Sequence, residues 1–137
     1  MKRTTAKKRT ALLSLTLAIM LTITAFAEYD RLDASSTVLV NSCEVYSRAW
    51  FDDSSESGKA STYISTSWYP VRAHAEGYCW NDGLSYVGSA DGGTHSGGSV
   101  ATLNFSGYVG IRLYSDHYAF DNHAESLDIY KGIGYLH

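Results

Sequence analysis

The chain has 137 residues and a formal charge of −3, but five of its eleven Lys and Arg residues lie within the first ten positions and all fourteen acids follow residue 27. Residues 28–137 therefore set six basic residues against fourteen acidic ones, a net −8, which repels a phosphate backbone and an anionic membrane surface alike. This excludes nucleic acid as a partner and leaves cationic proteins, divalent cations and neutral glycans, and the 110 residues concerned are enough for one domain and too few for two.

The N-terminus reads MKRTTAKKRT and then ALLSLTLAIMLTITAFA, uncharged from Ala11 to Ala27. A basic start, an apolar run and the small residues Ala25 and Ala27 around Phe26 are the layout of a secretory signal peptide. Ser14, Thr16, Thr22 and Thr24 interrupt the run, which falls short of the roughly 20 apolar residues of a spanning helix. The expectation is cleavage after Ala27 and a secreted, extracellular domain over residues 28–137, with no stable membrane insertion. Cys43 and Cys79 are the only cysteines. An even pair in an oxidising compartment predicts one disulfide, which would stabilise a domain of this size by ~4 kcal/mol.

Beyond the leader, period two organises almost every segment, so the chain reads as all-β. In CEVYSRAWF the residues Cys43, Val45, Ala49 and Phe51 alternate with Glu44, Tyr46, Arg48 and Trp50. Residues 52–59 read as a solvated turn, and STYISTSWY resumes with Thr62, Ile64, Thr66 and Trp68 on one side and Tyr63 and Tyr69 on the other. Pro70, the only proline, marks a strand boundary or an edge. VRAHAEGYCW then places Val71, Ala73, Ala75, Gly77 and Cys79 on one face and Arg72, His74, Glu76, Tyr78 and Trp80 on the other. Both cysteines thus fall on apolar faces, as an inter-sheet bridge requires.

Asn81, Asp82 and Gly83 supply the chemistry of a hairpin loop before LSYVG returns. SADGGTHSGGS, with four glycines between Ser89 and Ser99, predicts a flexible loop. Strands are expected from Val100, from Tyr108 and near SLDIYKGI, with DHYAFDNHAE as a partly paired connection before the last. About seven short strands with regular turn signals predict a small antiparallel β-sandwich, with a Greek-key order among its options.

Tyr78, Trp80 and Tyr86 crowd the stretch HAEGYCWNDGLSYVG, and two readings stay open for them. Flat rings with polar tips suit a ligand-binding face for a surface glycan or protein, and they equally suit packing in a small sandwich poor in leucine and isoleucine. His117, Asp121 and His123 share parity in DHYAFDNH, and imidazole with carboxylate suits a divalent metal, although the spacing matches none of the strong zinc patterns. GxSxG, HExxH and a lysine-bearing phosphate loop are all missing from the sequence, so no catalytic residue is assigned and a binding protein is expected over an enzyme.

The leader, the short exported part and strands rich in serine, glycine and tyrosine together resemble small secreted bacterial β-sandwich proteins, the lactococcin 972 bacteriocins among them. The likeness is one of composition and carries no functional residue across. It implies a secreted bacteriocin-like effector as the alternative to a binding module, and His117, Asp121 and His123 supply the third reading, a metal-binding domain or metal-dependent enzyme.

Overall fold

The computed structural model describes residues 30–66, 68–80 and 83–132. The expected leader with its cleavage point, and Asn81 and Asp82 of the hairpin loop, lie outside the described residues. The described chain is all-β: β1 (Asp33–Val40), β2 (Cys43–Asp52), β3 (Ser57–Ile64), β4 (Pro70–Trp80), β5 (Leu84–Asp91), β6 (His95–Ser96), β7 (Gly98–Asn104), β8 (Ile111–Ala119) and β9 (Asn122–Lys131). They form two sheets in which every pairing is antiparallel. Sheet 1 has the order β1-β2-β3-β7 and sheet 2 the order β5-β4-β8-β9, with β6 beside the start of β4.

Two strands more than expected are present, and the turns explain both. Asn41 and Ser42 join β1 to β2 with φ of 49° and 63°, the doubly left-handed geometry of a two-residue hairpin turn. This turn makes DASSTVLV a strand paired with the whole of β2. The glycine-rich stretch is largely ordered as well: Ser89–Asp91 pair with β4, His95 and Ser96 form β6, and Ser99 is buried in β7. Glycine permits this because Gly93 and Gly97 take φ of 73° and 83°, and a Cβ on Gly92 would stand 2.6 Å from the Val100 carbonyl.

The core lies between the sheets and is built from small residues. Ala49 and Ala60 of sheet 1 meet Ala73, Ala75, Leu113 and Ile129 of sheet 2, with Phe105 entering from the loop after β7. A second cluster of Val45, Ile64, Val71 and Ala119 fills one end, and Cys43 packs against it. No tyrosine or tryptophan is among the buried hydrophobic residues described. Trp68 departs from the alternation of the strand before it, because β3 ends at Ile64 and the indole projects from the following loop, 86% exposed.

The expected disulfide does not form, and both thiols are free. Each cysteine does face inward, but the two sit at opposite ends of the fold. Cys43 opens β2 beside the cluster that contains Val71, whereas Cys79 lies eight residues further along Val71's own strand, paired with Ile111. Eight residues of extended chain span ~26 Å, far beyond the ~7 Å limit between bridged Cα atoms.

One polar group crosses the centre of this core. His117 of β8 is wholly buried, with Nδ1 2.8 Å from the Thr62 hydroxyl of β3 and Nε2 3.0 Å from that of Ser115. Thr62 has one hydroxyl hydrogen and gives it to the Arg72 carbonyl at 3.0 Å, so the ring donates from Nδ1. Nε2 is then an acceptor for the Ser115 hydroxyl, which lies nearer to it than to the Leu127 carbonyl at 3.4 Å. This chain of bonds ties β8, β3 and β4 together, and burial away from water favours the neutral ring within it. It pushes the His117 pKa down to about 4, against a weaker opposing pull from Asp116 and Glu125.

Two outcomes follow. The unfolded histidine protonates near pH 6.5 and the folded one near 4, so stability is full above 6.5 and falls by about 3 kcal/mol as pH drops through that window. Urea unfolding at stepped pH should show this slope in the wild type and lose it in His117→Gln; an unchanged slope would contradict the account. Alkylation of the denatured, unreduced protein should add two labels by intact mass, and a protein that takes up none would restore the bridge.

Candidate binding face on sheet 2

The strict alternation of β8, with Ile111, Leu113, Ser115, His117 and Ala119 buried, turns Arg112, Tyr114, Asp116 and Tyr118 outward. β4 does the same with Arg72, His74, Glu76, Tyr78 and Trp80. Residues paired directly across antiparallel strands share a face, so the registers assemble the outer surface row by row. Tyr86, Tyr78, Arg112 and Tyr130 form one row across β5, β4, β8 and β9. Ser89, Glu76, Tyr114 and Asp128 form the next, and Trp80 pairs with Leu84 beyond the first.

The three aromatics singled out in the sequence therefore come together. The rings of Tyr78 and Tyr86 meet edge to face with centroids 5.7 Å apart, and Trp80 stands on the same side of β4. Tyr86 is 60% exposed, while Tyr78 and Trp80 are half-buried among their neighbours. Tyr114, Tyr118, Tyr130 and Arg112 belong to this surface too and were not assigned to it from sequence. The alternation of IRLYSDHYA carries the signal that would have found them.

The two arginines of the face are each paired with a neighbouring carboxylate. Arg112 grips Asp128 with two parallel bonds of 2.8 and 2.5 Å, and Arg72 binds Asp91 through Nε at 2.8 Å and through Nη2. The Arg72 guanidinium holds the Asp91 carboxyl below the usual carboxylate range. Tyr78 donates to Glu76 at 2.7 Å, which raises its phenol pKa and keeps the proton in place. His74 lies 3.7 Å from both Glu76 and Asp91, and its Nδ1 has no hydrogen-bond partner among the described residues.

The residues considered for metal do not assemble. His117 points into the core with both ring nitrogens engaged, whereas His123 is exposed on the outer face, 2.8 Å from Ser126 and 3.3 Å from Asp116. Phe120 and Asp121, with φ of 53° and 61°, make a two-residue turn, and a bulge interrupts the pairing at His117 and Tyr118, so parity does not carry through this stretch. DHYAFDNHAE is thus a hairpin and not a connection. Among the described residues no three of His, Cys, Asp and Glu are grouped to hold an ion.

The outer face of sheet 1 also carries Tyr46, Tyr63 and Trp50, but each ring has a local structural use. Tyr63 covers Gly98, Arg48 lies 4.9 Å over Trp50, and Tyr46 bonds to Glu44 at 2.5 Å. The chain matches no protein-family model, no curated protein and no solved structure.

If the rings of sheet 2 lie outside the core, truncating them should scarcely affect folding. Tyr86→Ala should change stability by less than about 1 kcal/mol, whereas Leu113→Ala should cost about 2–5 kcal/mol. Denaturant melts compare the two directly, and equal losses would place Tyr86 in the core.

Proposed function

We propose that the protein is a secreted binding module whose outer face on sheet 2 holds a surface glycan. In this reading residues 1–27 are removed on export and residues 28–137 act outside the cell as a single sandwich. The observation that carries it is the row of Tyr86, Tyr78, Arg112 and Tyr130, flanked by Trp80, Tyr114 and Tyr118, on a surface the core does not need. Aromatic rings offer flat apolar area at low entropy cost, and their hydroxyls reach the polar groups of a sugar. With both arginines closed on Asp91 and Asp128, the described residues of the face offer no unpaired Lys or Arg, which suits a neutral ligand and disfavours a phosphorylated one. A protein ligand would use the same rings, and the test separates the two.

Immobilised cell-wall polysaccharide should retain the wild-type protein, and Trp80→Ala or Tyr78→Ala should weaken retention by about ten-fold, the effect of losing one well-packed ring. Prior digestion of the polysaccharide should abolish retention. Equal retention of wild type and variants would remove this face from the interaction, and retention that survives digestion would point to a protein ligand.

A further inference from the structure

Two clefts open at opposite ends of the sandwich, and one of them adjoins the outer face of sheet 2. One, of about 230 Å³, is lined by Phe51, Asp52, Asp53, Glu56, Phe105 and Lys131 among others. There Asp52 is held by Lys59 at 2.6 Å and Asp53 by Lys131, while the Glu56 carboxylate has no ion pair among the described residues. The other, of about 270 Å³, is lined by Pro70, Val71, Arg72, Thr94, Tyr118 and Asp121. Among the described residues, the Tyr118 and Thr94 hydroxyls and the Asp121 carboxylate have no hydrogen bond of their own.

This second cleft continues the aromatic face. Arg72 and Tyr118 are opposite one another on β4 and β8, on the same outer side as Tyr78 and Trp80. Its walls are fixed before any ligand arrives. The Arg72 guanidinium, anchored by Asp91, lies 5.6 Å over the Tyr118 ring, and His123 meets that ring edge to face at 5.6 Å. Asp121 is set by the left-handed turn it shares with Phe120, whose ring packs on Tyr69 at 4.4 Å.

We infer that this cleft is the specificity subsite of the binding face and holds one neutral hexose or N-acetylhexosamine ring at the end of a glycan. The inference rests on the glycan-binding reading above. A carboxylate accepts from two neighbouring sugar hydroxyls, the Tyr118 and Thr94 hydroxyls donate or accept as required, and Arg72 donates to ring or hydroxyl oxygens. Pro70 and the Tyr118 ring offer apolar surface to the C–H face of a pyranose. The open carboxylate of Asp121 repels an anionic sugar, which restricts the class to neutral rings. A volume just under the ~300 Å³ lower bound of ordinary ligand pockets suits a single ring, with further units running over Tyr114 and Tyr78.

The test is an NMR titration of isotope-labelled protein with methyl hexosides and N-acetylhexosaminides, methyl hexuronides, and hexasaccharides of the same neutral sugars. At least one neutral monosaccharide should shift the resonances of Thr94, Tyr118 and Asp121, and the hexuronides should not. Asp121→Asn, which keeps a residue tolerant of the left-handed turn, should weaken that monosaccharide by about ten-fold or more without lowering the melting temperature. Tyr86→Ala, at the far side of the face, should weaken the hexasaccharide alone. Hexasaccharide binding that is insensitive to Asp121→Asn and shifts only Tyr78, Trp80 and Tyr86 would overturn the subsite and leave the binding face standing. Absence of shifts with every sugar would overturn both.

Discussion

The distance between the two sheets governs everything else in this molecule. Alanine and glycine occupy the inward positions where β2 and β3 cross β4 and β8, and the space beyond them is already filled. A Cβ on Gly77 would come within 2.2 Å of a Leu103 methyl and 2.8 Å of the Phe105 ring, and one on Gly58 within 2.7 Å of Phe105. In an interior packed to crystal density the Leu103 and Phe105 side chains would have to give way to such a methyl, and overpacking of this kind is destabilising. Ile64, Phe105, Ile111, Leu113, Leu127 and Ile129 are the large side chains buried there, and serine, threonine and one neutral histidine complete it.

Among the described residues this core buries no tyrosine or tryptophan, and those rings are carried outside it. On sheet 1 they serve as local covers for glycine and arginine. On sheet 2 they line up across strands held in register by a fully bonded interior, with ion pairs between them that fix their neighbours. Rigid elements with side chains held by their surroundings make a precise surface, and the same chain of bonds through His117 that joins the sheets holds β4 and β8 side by side beneath it.

Faces were legible in the sequence wherever strands alternated cleanly. Val45, Ala49, Val71, Ala73, Ala75 and Cys79 are buried as their parity requires, and Tyr78 and Trp80 lie on the opposite side. Position along a strand was not legible, because parity says which side a residue faces and nothing about which end of the partner sheet it meets. Cys43 and Cys79 satisfy the first condition and fail the second. Turns without glycine were the other blind spot: Asn41-Ser42 and Phe120-Asp121 adopt left-handed backbone that Asn and Asp tolerate and Phe accepts only with compensation, here the stack on Tyr69 and a bond from its N–H to the Pro70 carbonyl. The second turn and the bulge beside it separate two histidines of equal parity, leaving His117 at the centre of the core and His123 on the surface.

The fold depends on a closely packed interior of small and aliphatic side chains around Phe105 and His117, with its tyrosines kept out of that interior. Hydroxyl-radical footprinting of the native protein, read residue by residue by mass spectrometry, tests that arrangement most directly. Tyr46, Tyr63 and Tyr86 should be modified at rates close to those of the unfolded chain, while Leu113, Ile129 and Phe105 stay protected. Protected tyrosines together with a readily modified Phe105 would mean that the sheets are wider apart and the rings lie between them.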